Sequence, residues 1–226
     1  MTKYHPDTRF ISDFAAGSLP MSQALCVSAH LHYCDECKQK VAQLTDLGST
    51  LFDKSAPMSL KLDFSSLMDR IDSLPEENDD EISMDIASSP KNSALSLPSA
   101  LNKITHNNLE LLNWRKIGKY FSYSEFNIGD PLRETSLFNI KAGGNVPKHV
   151  HEGDEITVVL KGSFSDQDDH YQVGDFIVRT SGEVHTPVAA QDEDCLCLST
   201  LDAPIKMTNW FYRLLLPFVR HTAQTA

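Results

Sequence analysis

Positive charge is what this chain has least of. Its 20 Lys and Arg face 31 Asp and Glu, giving a formal net charge of −11 over 226 residues. A nucleic-acid surface needs clustered Lys and Arg to displace phosphate counterions, so direct nucleic-acid binding is not expected. A protein of this balance that acts near DNA would do so by holding a DNA-binding protein. Long apolar runs are also missing. The longest, Trp210–Val219, is broken by Arg213 and Pro217. It is about half of the ~20 residues that a membrane-spanning helix needs. The opening MTKYHPDTRF has no basic region followed by an apolar run, so no signal peptide is read there. A soluble, cytoplasmic protein without a membrane partner is the expectation. Cysteines number only five, an odd count that argues against a disulfide framework. Beside histidines they point to a reducing compartment and to metal ligation.

The apolar fraction, 41%, is slightly low for one compact globule and fits ordered pieces joined by something polar. Residues 1–74 read as helical. Asp7 or Thr8 can cap a first helix through Phe10, Ile11, Phe14 and Ala15. Ser22 precedes a second with Leu25, Val27 and Leu31, expected to run on past the cysteine pair through Val41, Leu44 and Leu47. Phe64, Leu67, Met68, Ile71 and Leu74 form a further helical stripe, which either packs on its own domain or faces a partner's groove. Residues 75–100 are acidic and then rich in Ser, Pro and Asn, without a sustained period, and read as a linker. From about residue 105 to 202 short runs such as TSLFNIKAG, EITVVLKGSFS, DFIVRT and CLCLSTL alternate with turn residues, the texture of a sandwich or barrel. A last helix is expected over Lys206–Arg220, with Trp210, Phe211, Leu214, Leu215 and Phe218 on one face.

Two constellations carry chemistry. His30, Cys34 and Cys37 form H-x3-C-x2-C, which on one continuous helix places all three on one face. Zinc favours four tetrahedral N/S ligands, and His5, just before Pro6, can fold back as the fourth. His32 is turned away by roughly 200° of helix rotation, and Cys26 reads as a core residue. The bland alternative is two buried cysteines beside an ordinary helix histidine. No βαβ context surrounds the CxxC, so a thioredoxin-like reading is weak.

The second constellation is G-x5-H-x-H-x3-E-x6-G, made by Gly143, His149, His151, Glu155 and Gly162, followed by G-x5-T-x-G-x2-H at Gly174, Thr180, Gly182 and His185. On a strand His149 and His151 share a face. Glu155 follows on the next strand, and His185 closes the set from a distant hairpin. Three histidines and a carboxylate suit Zn, Mn, Fe, Ni or Cu, so the ligands do not select the metal. Cys195 and Cys197 also share a strand face. They read either as small buried apolar residues or as a redox-responsive pair.

These residues resemble both motifs of the cupin superfamily, small β-barrels with a metal at the mouth. Thr180 stands where that family usually has Pro, and Ala189 where it usually has Asn. The two constellations, in this order and across this linker, resemble the ChrR family of two-domain zinc anti-sigma factors along almost the whole chain. The resemblance implies an α+β multidomain protein: an all-α zinc-binding anti-sigma bundle at 1–74, a linker at 75–100, and a jelly-roll-like cupin β-barrel with a C-terminal helix at 101–226. It implies one zinc on His5, His30, Cys34 and Cys37 and a second metal, zinc by resemblance, on His149, His151, Glu155 and His185. It further implies a 1:1 complex with an extracytoplasmic-function (group IV) sigma factor, released when the cupin responds to singlet oxygen or related oxidants. Two other classes stay open at this point. One is a cupin metalloenzyme, dioxygenase-like, with a regulatory helical domain; the other is a metal or redox sensor with a different partner.

Overall fold

A computed structural model describes residues 2–55, 63–74, 97–106 and 108–203, and the backbone of 205–207. Contacts divide the chain into two compact units, Met1–Gly48 together with Leu97–Ala226, and Ser49–Ser96.

Helix α1 (Thr8–Ala15) starts where Asp7 accepts a hydrogen bond from the Phe10 N–H at 3.0 Å, satisfying a donor that no helical carbonyl can reach. Helix α2 (Met21–Tyr33) begins after Pro20 and is tied at its start by Ser22 Oγ, which donates to Asp130 at 2.5 Å. It does not run on through the cysteines. Cys34 is extended, at φ −122° and ψ 100°, and a new helix, α3 (Asp35–Asp53), begins behind it. The Cys34 sulfur accepts the Cys37 N–H at 3.4 Å, the bond an N-capping side chain makes. Asp35 and Glu36 fill the first turn of α3, where the helix dipole favours negative charge.

In the other unit, α4 (Phe64–Asp72) is capped by Asp63, whose carboxylate accepts from the Ser65 and Ser66 N–H groups. It buries none of its residues.

After a short helix, α5 (Ser99–Thr105), which begins inside the segment read as linker, the strands follow. Six of them, β1 (Arg115–Ile117), β2 (Phe121–Glu125), β3 (Glu134–Ile140), β11 (Cys195–Leu201), β5 (Glu155–Lys161) and β8 (Phe176–Arg179), lie in that order in one antiparallel sheet. A second sheet orders β10 (Val188–Ala189), β6 (Ser163–Ser165) and β7 (His170–Gln172). A third orders β12 (Ile205–Met207), β4 (His149–His151) and β9 (Val184–His185). Ile140, Val159, Phe164, Tyr171, Ile177, Ala189, Cys195 and Cys197, drawn from the first two sheets, form the core between them.

The alternate residues of β5 and β11, among them Ile156, Val158, Leu160, Leu196 and Leu198, are buried as well. They face the other side of the sheet, where α2 packs on β5, β11 and β8. This explains why EITVVLK reads as a near-continuous apolar run: a strand covered on both faces has no polar alternation. Where the sequence suggests a helix from Lys206, the backbone through Met207 is instead strand β12, paired with β4. The rest of that expected helix, and linker residues 75–96, lie outside the described residues.

Candidate metal centres

The break at Cys34 builds the first cluster. His30 ends α2, Cys34 sits in the bend, and Cys37 lies in the first turn of α3. The three converge through a change of chain direction and not along one helix face. His5 folds back from the N-terminus as expected, with Nδ1 3.4 Å from the Cys34 sulfur and 3.4 Å from the Cys37 sulfur. Ligand atoms of His5, His30, Cys34 and Cys37 all lie within 4.8 Å of one another. A tetrahedral zinc with Zn–S of ~2.3 Å and Zn–N of ~2.0 Å would set its S···N edges at about 3.5 Å.

His30 is fully buried and orients its ring against the barrel. Its Nδ1 lies 2.6 Å from the Gly174 carbonyl oxygen. A carbonyl only accepts, so Nδ1 carries the proton and Nε2 is left bare, buried and without a hydrogen-bond partner. An orphaned imidazole nitrogen beside two thiols is what a metal would satisfy, and the carbonyl on the far side of the ring is the usual means of fixing such a ligand. Burial, with Cys34 alongside, pushes the Cys37 thiol up to about 12. Ionising it at neutral pH therefore calls for a cation at the site. His32 is exposed, and Cys26 is buried in the packing of α2, outside the cluster.

The second cluster is built by pairing. Strand β4 turns His149 and His151 to one side, and His185 on β9 stands directly opposite His149 in the antiparallel register. The three Nε2 atoms meet: His151 to His185 at 3.0 Å and His185 to His149 at 2.9 Å. Each outer nitrogen of two of these rings has an acceptor. His149 Nδ1–H donates to the Pro147 carbonyl at 3.0 Å, and His185 Nδ1–H to Asp166 Oδ2 at 3.2 Å. Both rings thus direct bare Nε2 atoms at a common point. Burial, and for His149 the neighbouring His185, lowers the pKa values of His149 and His151, which holds the rings in the neutral form that ligates metal. The three histidines form a group that could hold a metal ion.

Glu155 stands beside this group without joining its tightest part. One carboxylate oxygen is 3.4 Å from His151 Nε2, and the other accepts the Ser199 hydroxyl at 2.7 Å. Ser199 is two residues along β11 from Cys197, so Cys195, Cys197 and Ser199 share the strand face that looks inward. The two cysteine sulfurs lie 3.6 Å apart in the apolar core, and burial raises the Cys197 pKa well above an ordinary thiol's. No helix of the described residues is long and apolar enough to cross a membrane.

The sequence names the seven residues that the structure gathers into the two clusters, with Glu155 standing beside them and not among them, and it misses what orients them. Asp166, which accepts from His185, and Gly174, whose carbonyl accepts from His30, carry no ligand pattern of their own, although Gly174 opens the second motif.

Three comparisons bear on these clusters. Residues 126–203 match the model of the ChrR cupin-like domain. Over 219 residues the chain is 29% identical to the anti-sigma-E factor ChrR of Cereibacter sphaeroides, spanning 96% of this chain and 98% of that protein. The crystal structure of Rhodobacter sphaeroides SigE in complex with the anti-sigma ChrR superposes with a TM-score of 0.69 at 29% identity, covering 89% of this chain and 99% of that one.

Proposed function

We propose, from the premise that this chain belongs to the ChrR-type two-domain proteins, that it is an anti-sigma factor which binds and silences an extracytoplasmic-function sigma factor. Its role on this reading is regulatory and not enzymatic. The observation that carries the reading is the joint one. Likeness to an anti-sigma factor extends over 96% of the chain, and both of its His-rich clusters converge to ligand distances. Exposed apolar side chains support a protein partner: Leu51 and Phe52 late in α3, and Phe64, Met68 and Ile71 on α4. Grouped exposed apolar side chains of this kind mark a surface that a partner can cover.

On this reading His5, His30, Cys34 and Cys37 hold zinc, and His149, His151 and His185 hold a second metal with Glu155 alongside. A bound zinc supplies folding energy to a small bundle that its own core does not provide. Residues 1–74 act as the partner-holding piece and 101–226 as the sensing piece, working in the cytoplasm. The protein's residues do the rest: Gly174 and Asp166 fix the ligand rings, and the bend at Cys34 sets the angle between α2 and α3.

The test is co-expression of the full chain with its co-encoded sigma factor. A 1:1 complex that blocks transcription is expected, with two metal ions per chain. Failure to co-purify near stoichiometry would end the reading. Within it, His30→Ala or Cys34→Ser abolishes inhibition, whereas His149→Ala or Glu155→Ala, assayed with zinc in excess, leaves inhibition intact and blunts release by singlet oxygen. Equal loss of inhibition from both pairs would refute the division of labour.

A further inference from the structure

Both clusters lie within the same compact unit, and one tight turn touches the supports of each. The turn joins β6 to β7 and runs from Asp166 to Asp169. It is closed by the Asp166 N–H donating to the Asp169 carbonyl at 3.0 Å, and by the Asp168 and Asp169 N–H groups donating to Asp166 Oδ1 at 3.0 and 3.3 Å. The Asp166 side chain has no exposed surface. Its other oxygen, Oδ2, accepts from His185 Nδ1 at 3.2 Å and from Arg179 Nη2 at 2.6 Å. One buried carboxylate therefore shapes the turn with one oxygen and holds a barrel histidine with the other.

At the far end of the turn, Asp169 Oδ2 accepts from the Tyr4 hydroxyl and from Lys3 Nζ. Tyr4 is the residue next to His5. It is pinned along its backbone as well, because its N–H donates to Asp175 Oδ1 at 3.0 Å and its carbonyl accepts from the Phe176 N–H at 3.0 Å. Its ring packs on Tyr171 at 5.0 Å, and the Tyr171 hydroxyl accepts from Arg179 Nη2 at 2.8 Å, the same nitrogen that holds Asp166. Two short routes thus connect His185 to His5. One runs Asp166, turn, Asp169, Tyr4; the other runs Asp166, Arg179, Tyr171, Tyr4. Each link is a hydrogen bond, a ring contact or the chain itself.

We propose that the Asp166–Asp169 turn couples the two clusters, with Asp166 and Asp169 as positioning residues that make metal retention at His5 depend on occupancy at His185. The inference rests on reading both clusters as metal sites. His149, His151 and His185 would hold a metal between them, and the His185 ring so held would keep its Nδ1–H directed at Asp166. Emptying the site would remove that constraint on the ring, weaken its bond to Asp166 and so loosen the turn's hold on Tyr4. Coupling of this kind is reciprocal and amounts to roughly 5–150-fold between linked sites.

The experiment uses the full chain loaded with zinc. Chelator is added, and alkylation of Cys34 and Cys37 over time is read by mass spectrometry, since those sulfurs react once their zinc is gone. The barrel site is emptied by His149→Ala with His151→Ala, which keeps the His185 side chain, its Asp166 partner and every residue of the turn. That variant is expected to lose zinc from the His/Cys cluster about fivefold faster or more. Tyr4→Phe removes only the hydroxyl that meets Asp169, and combined with the emptied barrel it is expected to cut the acceleration to less than about twofold relative to Tyr4→Phe alone. Asp194→Asn, a matched charge loss on another loop, is expected to leave the acceleration in place. A turn that merely stabilised the fold would raise every rate alike without changing the ratio. Equal rates with the barrel filled and empty would overturn the proposal, as would an acceleration that survives both Tyr4→Phe and Asp169→Asn. If the wild-type chain holds no zinc at Cys34 and Cys37, the metal reading itself falls, and the coupling with it.

Discussion

Gly174 shows how much can hang on a residue with no side chain. It sits at φ +90°, and a methyl group on its Cα would lie 2.4 Å from Thr2 Cγ2 and 2.7 Å from Tyr33 Cβ. Its carbonyl is the acceptor that fixes His30. Gly174→Ala therefore combines backbone strain with a clash where the N-terminal segment lies on the barrel. It is expected to destabilise the chain by about 1–3 kcal/mol in urea unfolding, and to speed zinc loss from the His/Cys cluster by displacing its carbonyl. Unchanged stability and unchanged zinc retention would contradict the role given to this turn. Positions such as this were only half legible. The glycine is visible in the motif, but nothing in the spacing says that its carbonyl serves a histidine 144 residues away. Thr180 illustrates the reverse. The cupin pattern has Pro there, which has no N–H, and here the Thr180 N–H and hydroxyl both donate to Glu183 Oε1, at 3.1 and 2.7 Å. The departure from the motif is thus a local exchange of one turn-stiffening device for another.

Among the elements, the helices divide by what they bury. Helix α2 buries Ser22, Leu25, Cys26, Val27, Ala29 and His30, residues spread around much of its circumference. Such a helix is enclosed, with other helices on one side and the sheet on the other, and its docking leaves no clear stripe in the sequence. Helix α4 is the opposite case: its stripe is plain in the sequence, yet Phe64 is 70% exposed and Met68 47%. The stripe identifies the helix, and only the structure shows that the stripe remains in water. Because these side chains are exposed among the described residues, Phe64→Asp and Met68→Asp are expected to leave the melting temperature within error. Both should weaken the sigma-factor complex at least tenfold, about 1.4 kcal/mol. Calorimetric titration reads the affinity, and an affinity within twofold of wild type would remove α4 from the interface. The bend at Cys34 was illegible for a different reason. Every residue from Asp35 onward is compatible with continued helix, and the interruption is set by the sulfur that caps α3 and faces His5, a tertiary demand overriding local propensity.

At the scale of the molecule, the question is how a change at the barrel histidines would reach helices that hold a partner. A polar segment between two pieces invites the idea that the signal travels along the chain, or that release follows cleavage there. The packing offers a shorter way. Helix α2 lies directly on β5, β11 and β8, the His30 ring is bonded to the β7–β8 turn, and Tyr4 is bonded to the turn that holds His185. The two clusters share one compact unit through residues 1–48, and α3 leads on from the His/Cys cluster to Leu51 and Phe52, a route that does not pass along residues 75–96. Replacing residues 75–96 with a Gly/Ser sequence of equal length is therefore expected to leave inhibition, and the release by oxidant proposed for this chain, unchanged, as read by sigma-dependent transcription before and after exposure to singlet oxygen. The competing route makes the opposite forecast. If cleavage or a specific contact within that segment carried the signal, the replaced chain would still silence its sigma factor and would no longer let it go.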